Sequence, residues 1–386
     1  MRTIVLSVLL AIIGTVVFSI DRLSFASYAL FTGPLSFFDE RLVASVLLVS
    51  LSFSLVVVHR TAVRLSSERA AWSALVLMLV SVPVLLAPLS VSLGFLAVPL
   101  LLVFIYQLST RRYRLVSVAI PIAGLFVLGF GHYALFVLAA LLVASPLRPD
   151  PDPRLGDLFI VSLLAFIVSG AFLPSSFSVE RALPFGLVFI ALVVFAVYRV
   201  VSQGSRRADP IVALALSSAV LFFLGDPIAA LTLTIAGGVL SSIAFESIFR
   251  FFDVSNIRFK RSIAFSLVVF IAALTLTQSL WFAVLDERMD PQLAASMRSV
   301  ERGTVAVDER FAPALRYYSH ADVVAIPSSE ADFIASSRLS IPVLSIVDDR
   351  YERIVLFEEP SLVLGSCFSV VEYERLWEVR IRCSLS

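Results

Sequence analysis

Two adjacent carboxylates, Asp39 and Glu40, are followed at once by Arg41. A carboxylate held at an acceptor hydroxyl, shielded from bulk water, can act as a general base. A guanidinium beside it suits bidentate contact with phosphate. The same pairing of types recurs at Glu180 and Arg181, and a further acid, Asp226, sits in a Gly-Asp-Pro turn. Each also has a plainer role. Asp39 and Glu40 fit an N-cap and first helical turn, where negative charge complements the helix dipole. Arg41 and Arg181 fit interfacial anchors, and Asp before Pro is ordinary turn chemistry. His132 has no cysteine or carboxylate at metal-ligand spacing, so a zinc site is not expected. No G-x-S-x-G, C-x-x-C, H-E-x-x-H or glycine-rich phosphate loop occurs. No cofactor is expected, and a divalent metal has no support in the sequence.

The elements that must position these residues are apolar. Hydrophobic residues are 59% of 386 positions and charged residues only 15%; mean hydropathy is +0.97. A soluble chain carries roughly a quarter charged residues. Eleven apolar runs are candidate spans: 3–20, 42–58, 71–87, 90–107, 115–130, 133–146, 158–173, 184–201, 210–224, 228–246 and 263–285. Several approach the ~17–20 residues needed to cross a bilayer. The first follows one basic residue and lacks an A-x-A-like cleavage site before Asp21, so it reads as a retained span rather than a signal peptide. Gly131-His132 and Gly225-Asp226-Pro227 read as tight hairpins between spans. Pro83, Pro99 and Pro121 lie inside spans, where neighbouring helices can re-satisfy a freed carbonyl.

Arginine and lysine divide sharply between alternate loops. One set carries sixteen; the other carries only Arg22, Arg41 and Arg181. Cationic loops stay cytoplasmic. This predicts a cytoplasmic N-terminus in the cell membrane, with Asp39, Glu40, His132, Glu180 and Asp226 on the outer side. It also places the last hundred residues outside. Ionisable groups are nearly absent from the spans, which argues against an ion-coupled transporter. Thr232, Thr234, Thr275, Thr277 and Gln278 are the notable polar groups there, and they read as helix packing contacts.

Two domains follow: a helical membrane domain over 1–285 and an extracytoplasmic α/β domain over 286–386. The first has 19 basic and 12 acidic residues, the second 11 and 17. The acidic tail excludes a nucleic-acid partner. Its pattern predicts a helix over 291–302, a strand over 304–308, a helix over 309–319 and a strand over 323–327. A helix over 329–337 and strands at 341–347, 361–365 and 375–382 follow, suggesting a small parallel sheet. Both cysteines, Cys367 and Cys383, fall in this tail; an oxidising compartment permits a disulfide, and two chance cysteines fit equally well.

TVAVDERFAPALRYYS at 304–319, the VVAIP that follows and the closing RLWEVRIR resemble the soluble C-terminal domain of GT-C-type membrane glycosyltransferases. That resemblance implies a multi-pass membrane enzyme with an external α/β tail and a polyprenyl-phosphate-linked sugar as donor. It also implies an essential acid in the first outer loop, often within an Asp-Glu pair, which here is Asp39-Glu40. In this chain the pair abuts the second span, without the long amphipathic helices that follow it in the family. On this basis Asp39 is the expected base, with Glu40, Glu180 or Asp226 as second acid and Arg41 and Arg181 on the phosphate. The partners are then the bilayer and the lipid-linked sugar. The alternative is a non-catalytic membrane scaffold or assembly subunit whose tail binds a partner.

Overall fold

The computed structural model describes residues 28, 40–81, 83–84, 92–110, 114–145, 154–169, 187–203, 206–226, 228–255, 259–283, 290–319, 321–329, 331, 353–357, 368–373 and 375–381. It is mostly helical, with a small C-terminal sheet. The first ten described helices are α1 Glu40–Leu65, α2 Glu68–Leu79, α3 Gly94–Leu108, α4 Leu115–Val127, α5 Gly131–Ala144, α6 Arg154–Ser169, α7 Leu187–Gln203, α8 Asp209–Phe223, α9 Ala229–Val254 and α10 Lys260–Ala283. Each apolar run expected between 42 and 285 falls on one of them. The run at 3–20 lies outside the described residues. By length and composition, 41–65 and 229–254 are long and apolar enough to cross a membrane.

These helices begin and end where local chemistry dictates. Ser67 caps α2 by accepting from the Ala70 N–H, and Glu68 follows in the first turn. Pro210 opens α8, where a missing N–H costs nothing. Pro99 and Pro121 sit within α3 and α4 without ending them. Helix α9 is the packing hub. Gly237 lets α7 approach so closely that an added Cβ would stand 2.8 Å from Phe189, and a Cβ added at Gly238 would stand 3.1 Å from Met78 of α2. Phe245 and Phe249 extend the contact, closing a core with Ala70, Ala74 and Leu77 of α2 and Ala264 and Ile271 of α10.

The outward faces stay apolar. On α1, Leu42, Val46, Val49, Phe53, Val56 and Val63 are all exposed at helical spacing, and α6 exposes Ile160, Val161, Leu164, Ile167 and Val168. An apolar surface this continuous is what lipid covers. Hydroxyls within the helices are satisfied locally. Thr232 donates to the Ala229 carbonyl, Thr234 to Ala230, Thr275 to Ile271 and Thr277 to Ala273. Each bonds back onto its own helix, and Thr232 of α9 also hydrogen-bonds the Tyr133 side chain of α5, an interhelical contact of the kind expected of these groups. The side chain of Gln278 is outside the described residues.

By packing, the described residues fall into two compact units. One holds the helices from Val46 of α1 through α10. The other holds Tyr28, the start of α1, Ser92 and everything described from Asp290 onward. In this second unit, Asp290 caps α11 (Pro291–Arg298) by accepting from the Gln292 N–H. Next come β1 (Thr304–Asp308), α12 (Ala312–Tyr318) and β2 (Asp322–Ile326), then β3 (Arg353–Leu356), β4 (Phe368–Tyr373) and β5 (Leu376–Ile381). The sheet order is β2-β1-β3-β5-β4. β1 lies between β2 and β3, parallel to both, with Val305 opposite Val323 and Ala306 opposite Ile354.

The sheet is mixed rather than wholly parallel. β5 runs antiparallel to β3 and to β4. Tyr373 pairs with Leu376, so the β4–β5 link is a two-residue hairpin, too short for the crossover that parallel strands require. The expected helix at 291–302 ends four residues early, and the strand expected at 375–382 is β5. The strands expected at 341–347 and 361–365, Cys367 and Cys383, and almost all of the helix at 329–337 lie outside the described residues.

Two ion networks knit this sheet. Glu378 is fully buried on β5; it accepts from Arg353 at 3.3 Å, Arg380 at 3.0 Å and Tyr373 at 2.9 Å. A carboxylate with that many partners is the tolerable form of a buried charge. Burial pushes the Tyr373 phenol up, and its bond to Glu378 pushes it further. Gly303 has φ +130°, and an added Cβ would stand 2.5 Å from the Arg353 guanidinium, so only glycine fits there. At the end of β1, burial pushes the Asp308 carboxyl up, but hydrogen bonds from Arg310 and Ser328 outweigh it and hold it below its usual range.

Candidate functional site

Helices α4 and α8 end in the same way. Gly129 (φ +82°) donates to the Phe126 carbonyl and Phe130 to Leu125; Gly225 (φ +86°) donates to Phe222 and Asp226 to Leu221. Both are Schellman motifs, closed by a left-handed glycine. The first turn therefore lies at 128–130, two residues before the expected Gly131-His132, because Gly129 takes the positive φ. His132 and Tyr133 consequently stand in the first turn of α5. Asp226 stands in the link from α8 to α9.

These turns bring three polar side chains together. His132 Nε2 lies 2.8 Å from Asp226 Oδ2, and the Tyr133 hydroxyl donates to Asp226 Oδ1 at 2.8 Å. The Ile228 N–H donates to the same Oδ1 at 3.0 Å, so the expected turn role of Asp226 is present alongside the new partners. His132 is 4% and Asp226 3% exposed. A carboxylate accepts from Nε2–H, which leaves the lone pair of a neutral imidazole on Nδ1. That Nδ1 is buried with no hydrogen-bond partner among the described residues. Chemically, the carboxylate orients an imidazole whose other nitrogen is free to accept a proton. No group of three or more His, Cys, Asp or Glu able to hold a metal occurs among the described residues.

The other expected site residues are placed only in part. Asp39, Glu180 and Arg181 lie outside the described residues. Glu40 is the first residue of α1, and Arg41 follows it, exposed, in the same turn. Ahead of Glu40, the described residue is Tyr28, which is fully buried. Its ring packs at 5.1 Å from Tyr317 and 5.2 Å from Tyr318, and its hydroxyl is 2.8 Å from that of Tyr318.

Sequence reasoning treated His132 and Asp226 separately and passed over Tyr133. The residues are 94 and 93 apart, so no local pattern links them. Two signals point to the grouping: GFGHY and FLGDP both follow a long apolar run through glycine, and the arginine alternation puts both turns on the same side.

No protein-family model matches the chain, and no curated protein matches it by sequence. By fold it is similar to the oligosaccharyltransferase of Archaeoglobus fulgidus. The form tethered to an acceptor peptide containing the NVT sequon matches 82% of this chain with TM-score 0.51 at 12% identity. The apo form matches 81% with TM-score 0.54 at 11% identity. The matched region spans 58% of the length of each of those chains. That enzyme is a GT-C glycosyltransferase, and the chain has the GT-C fold.

Proposed function

We propose that this chain is a GT-C-like glycosyltransferase that moves a sugar from a polyprenyl-phosphate donor to an acceptor outside the cell. The observation that carries this reading is the fold shared with an oligosaccharyltransferase captured with an acceptor peptide, over four-fifths of the chain. Apolar outward faces and the arginine alternation support a multi-pass cell-membrane protein with domains at 1–285 and 286–386, its N-terminus cytoplasmic and its tail outside. In this reading Asp39 takes the acceptor's proton as the new glycosidic bond forms, and the lipid phosphate leaves with the electron pair of the old one. Glu40 or Glu180 supplies a second acid, Arg41 and Arg181 contact the phosphate, and Asp226 acts through His132. One observation favours a non-catalytic scaffold instead: Asp226 already accepts three hydrogen bonds, the signature of an architectural residue.

The test is sugar transfer from labelled polyprenyl-phosphate donors in membranes with matched expression. Wild-type chain should transfer. Asp39→Asn should lose about a hundredfold or more, the size of a lost general base, with stability unchanged because Asn caps as well as Asp. Full activity in Asp39→Asn removes Asp39 from the chemistry. No transfer by wild type across donors favours the scaffold.

A further inference from the structure

We propose that Tyr28 is a positioning residue: through Tyr317 and Tyr318 it clasps to the tail domain the stretch of chain that leads in sequence to the acidic pair Asp39-Glu40. The catalytic consequence rests on the transferase reading; the clasp itself does not.

A tyrosine in an aromatic outer loop is expected to lie at the membrane interface with its hydroxyl in water. Tyr28 is instead 0% exposed. Packed against it are Tyr317 and Tyr318, the latter 290 residues further along the chain. The rings of Tyr317 and Tyr318, themselves 4.8 Å apart and edge to face at 85°, form a corner at the C-terminal end of α12. Tyr28 fills that corner with tilted contacts to both, at 43° and 56°, an arrangement ring quadrupoles favour. Its hydroxyl and that of Tyr318 form a hydrogen bond, giving each phenol the partner that burial demands. Arg298 of α11 lies 5.0 Å from the Tyr318 ring centre, so the receiving ring is braced from within the tail. Glu40–Ser45 belong to the same compact unit as Tyr28 and the tail. A tie at Tyr28 reduces the conformational freedom that must otherwise be lost when Asp39 meets a substrate.

The experiment uses the full chain in detergent, with an N-terminal tag, under limited trypsin. Arg22 and Arg41 are the only cleavage sites in this loop. Tyr28→Ala and Tyr318→Ala should each raise loop cleavage about tenfold, the size of losing one or two aromatic contacts. The double variant should cleave no faster than either alone. Tyr28→Phe and Tyr318→Phe keep the rings and lose only the hydroxyl bond, so each should raise cleavage about threefold or less, again without adding. These conservative variants keep the test open if an alanine unfolds the tail. Unchanged loop cleavage in the Tyr318 variants, or additive effects in the doubles, overturns the clasp. Sugar transfer is then read on the same variants. Turnover should fall several-fold at unchanged acceptor KM and recover in Tyr28→Phe. Faster cleavage with unaltered turnover overturns the positioning role, while a wild type that transfers nothing defeats the transferase reading and leaves the cleavage result to decide the clasp.

Discussion

Asp226 has an oxygen for each kind of demand placed on it. Oδ1 takes the Tyr133 hydroxyl and the Ile228 N–H, and Oδ2 takes His132. Replacement by asparagine preserves the Oδ1 contacts. It presents an N–H₂ to His132, which can answer by moving its own proton to Nδ1 and accepting at Nε2. Asp226→Asn should therefore change the unfolding midpoint little. Asp226→Ala strands three donors in an apolar setting at about 1–3 kcal/mol each for those fully buried, and its loss of stability should be obvious in thermal unfolding of the detergent-solubilised chain. If Asp226 orients a working imidazole, Asp226→Asn keeps the fold and loses transfer, because Nδ1 becomes a donor. Transfer equal to wild type in that variant would make the residue purely architectural.

At the scale of elements, the helix ends carry as much information as the helices. Gly129 has φ +82° and nothing within 4 Å of where a Cβ would stand. Any cost of Gly129→Ala is thus backbone strain alone, about 1–2 kcal/mol for a left-handed L-residue. Gly129→Asn should cost less, since Asn tolerates that conformation. Equal stability of the two variants in denaturant unfolding would remove the glycine's role as a stop signal. These stops were legible, as glycines between apolar runs too long for single spans, but their register was not: Gly129 and Gly131 are equally good candidates until the Phe130-to-Leu125 hydrogen bond is seen. The tail behaves similarly. TVAVD and VVAI announce β1 and β2 through continuous apolar residues bounded by charge. RIVL is four residues among acids and bases, and its place in the sheet depends on β5, whose partners begin some twenty residues further on. Local propensity carries no such pairing.

Over the whole molecule, composition and the apolar runs made the membrane class legible, whereas the grouping of Tyr28 and the start of α1 with the residues from Asp290 onward has no local signal. Nor was the pairing of His132 with Asp226 legible, because it arises only when α5 meets the α8–α9 turn. Orientation has its own check. Protease added to intact cells should remove the tail while leaving the bundle; survival of the tail beside cleaved outer-face controls would reverse the topology. The hydroxyls of the bundle have a further consequence. Thr232, Thr234, Ser241, Ser242 and Thr275 each give their proton to a carbonyl of their own helix. A hydroxyl bonded in this way carries no unpaired donor into an apolar setting. Each of these helices can therefore lie among apolar neighbours before a partner helix arrives to meet its polar groups.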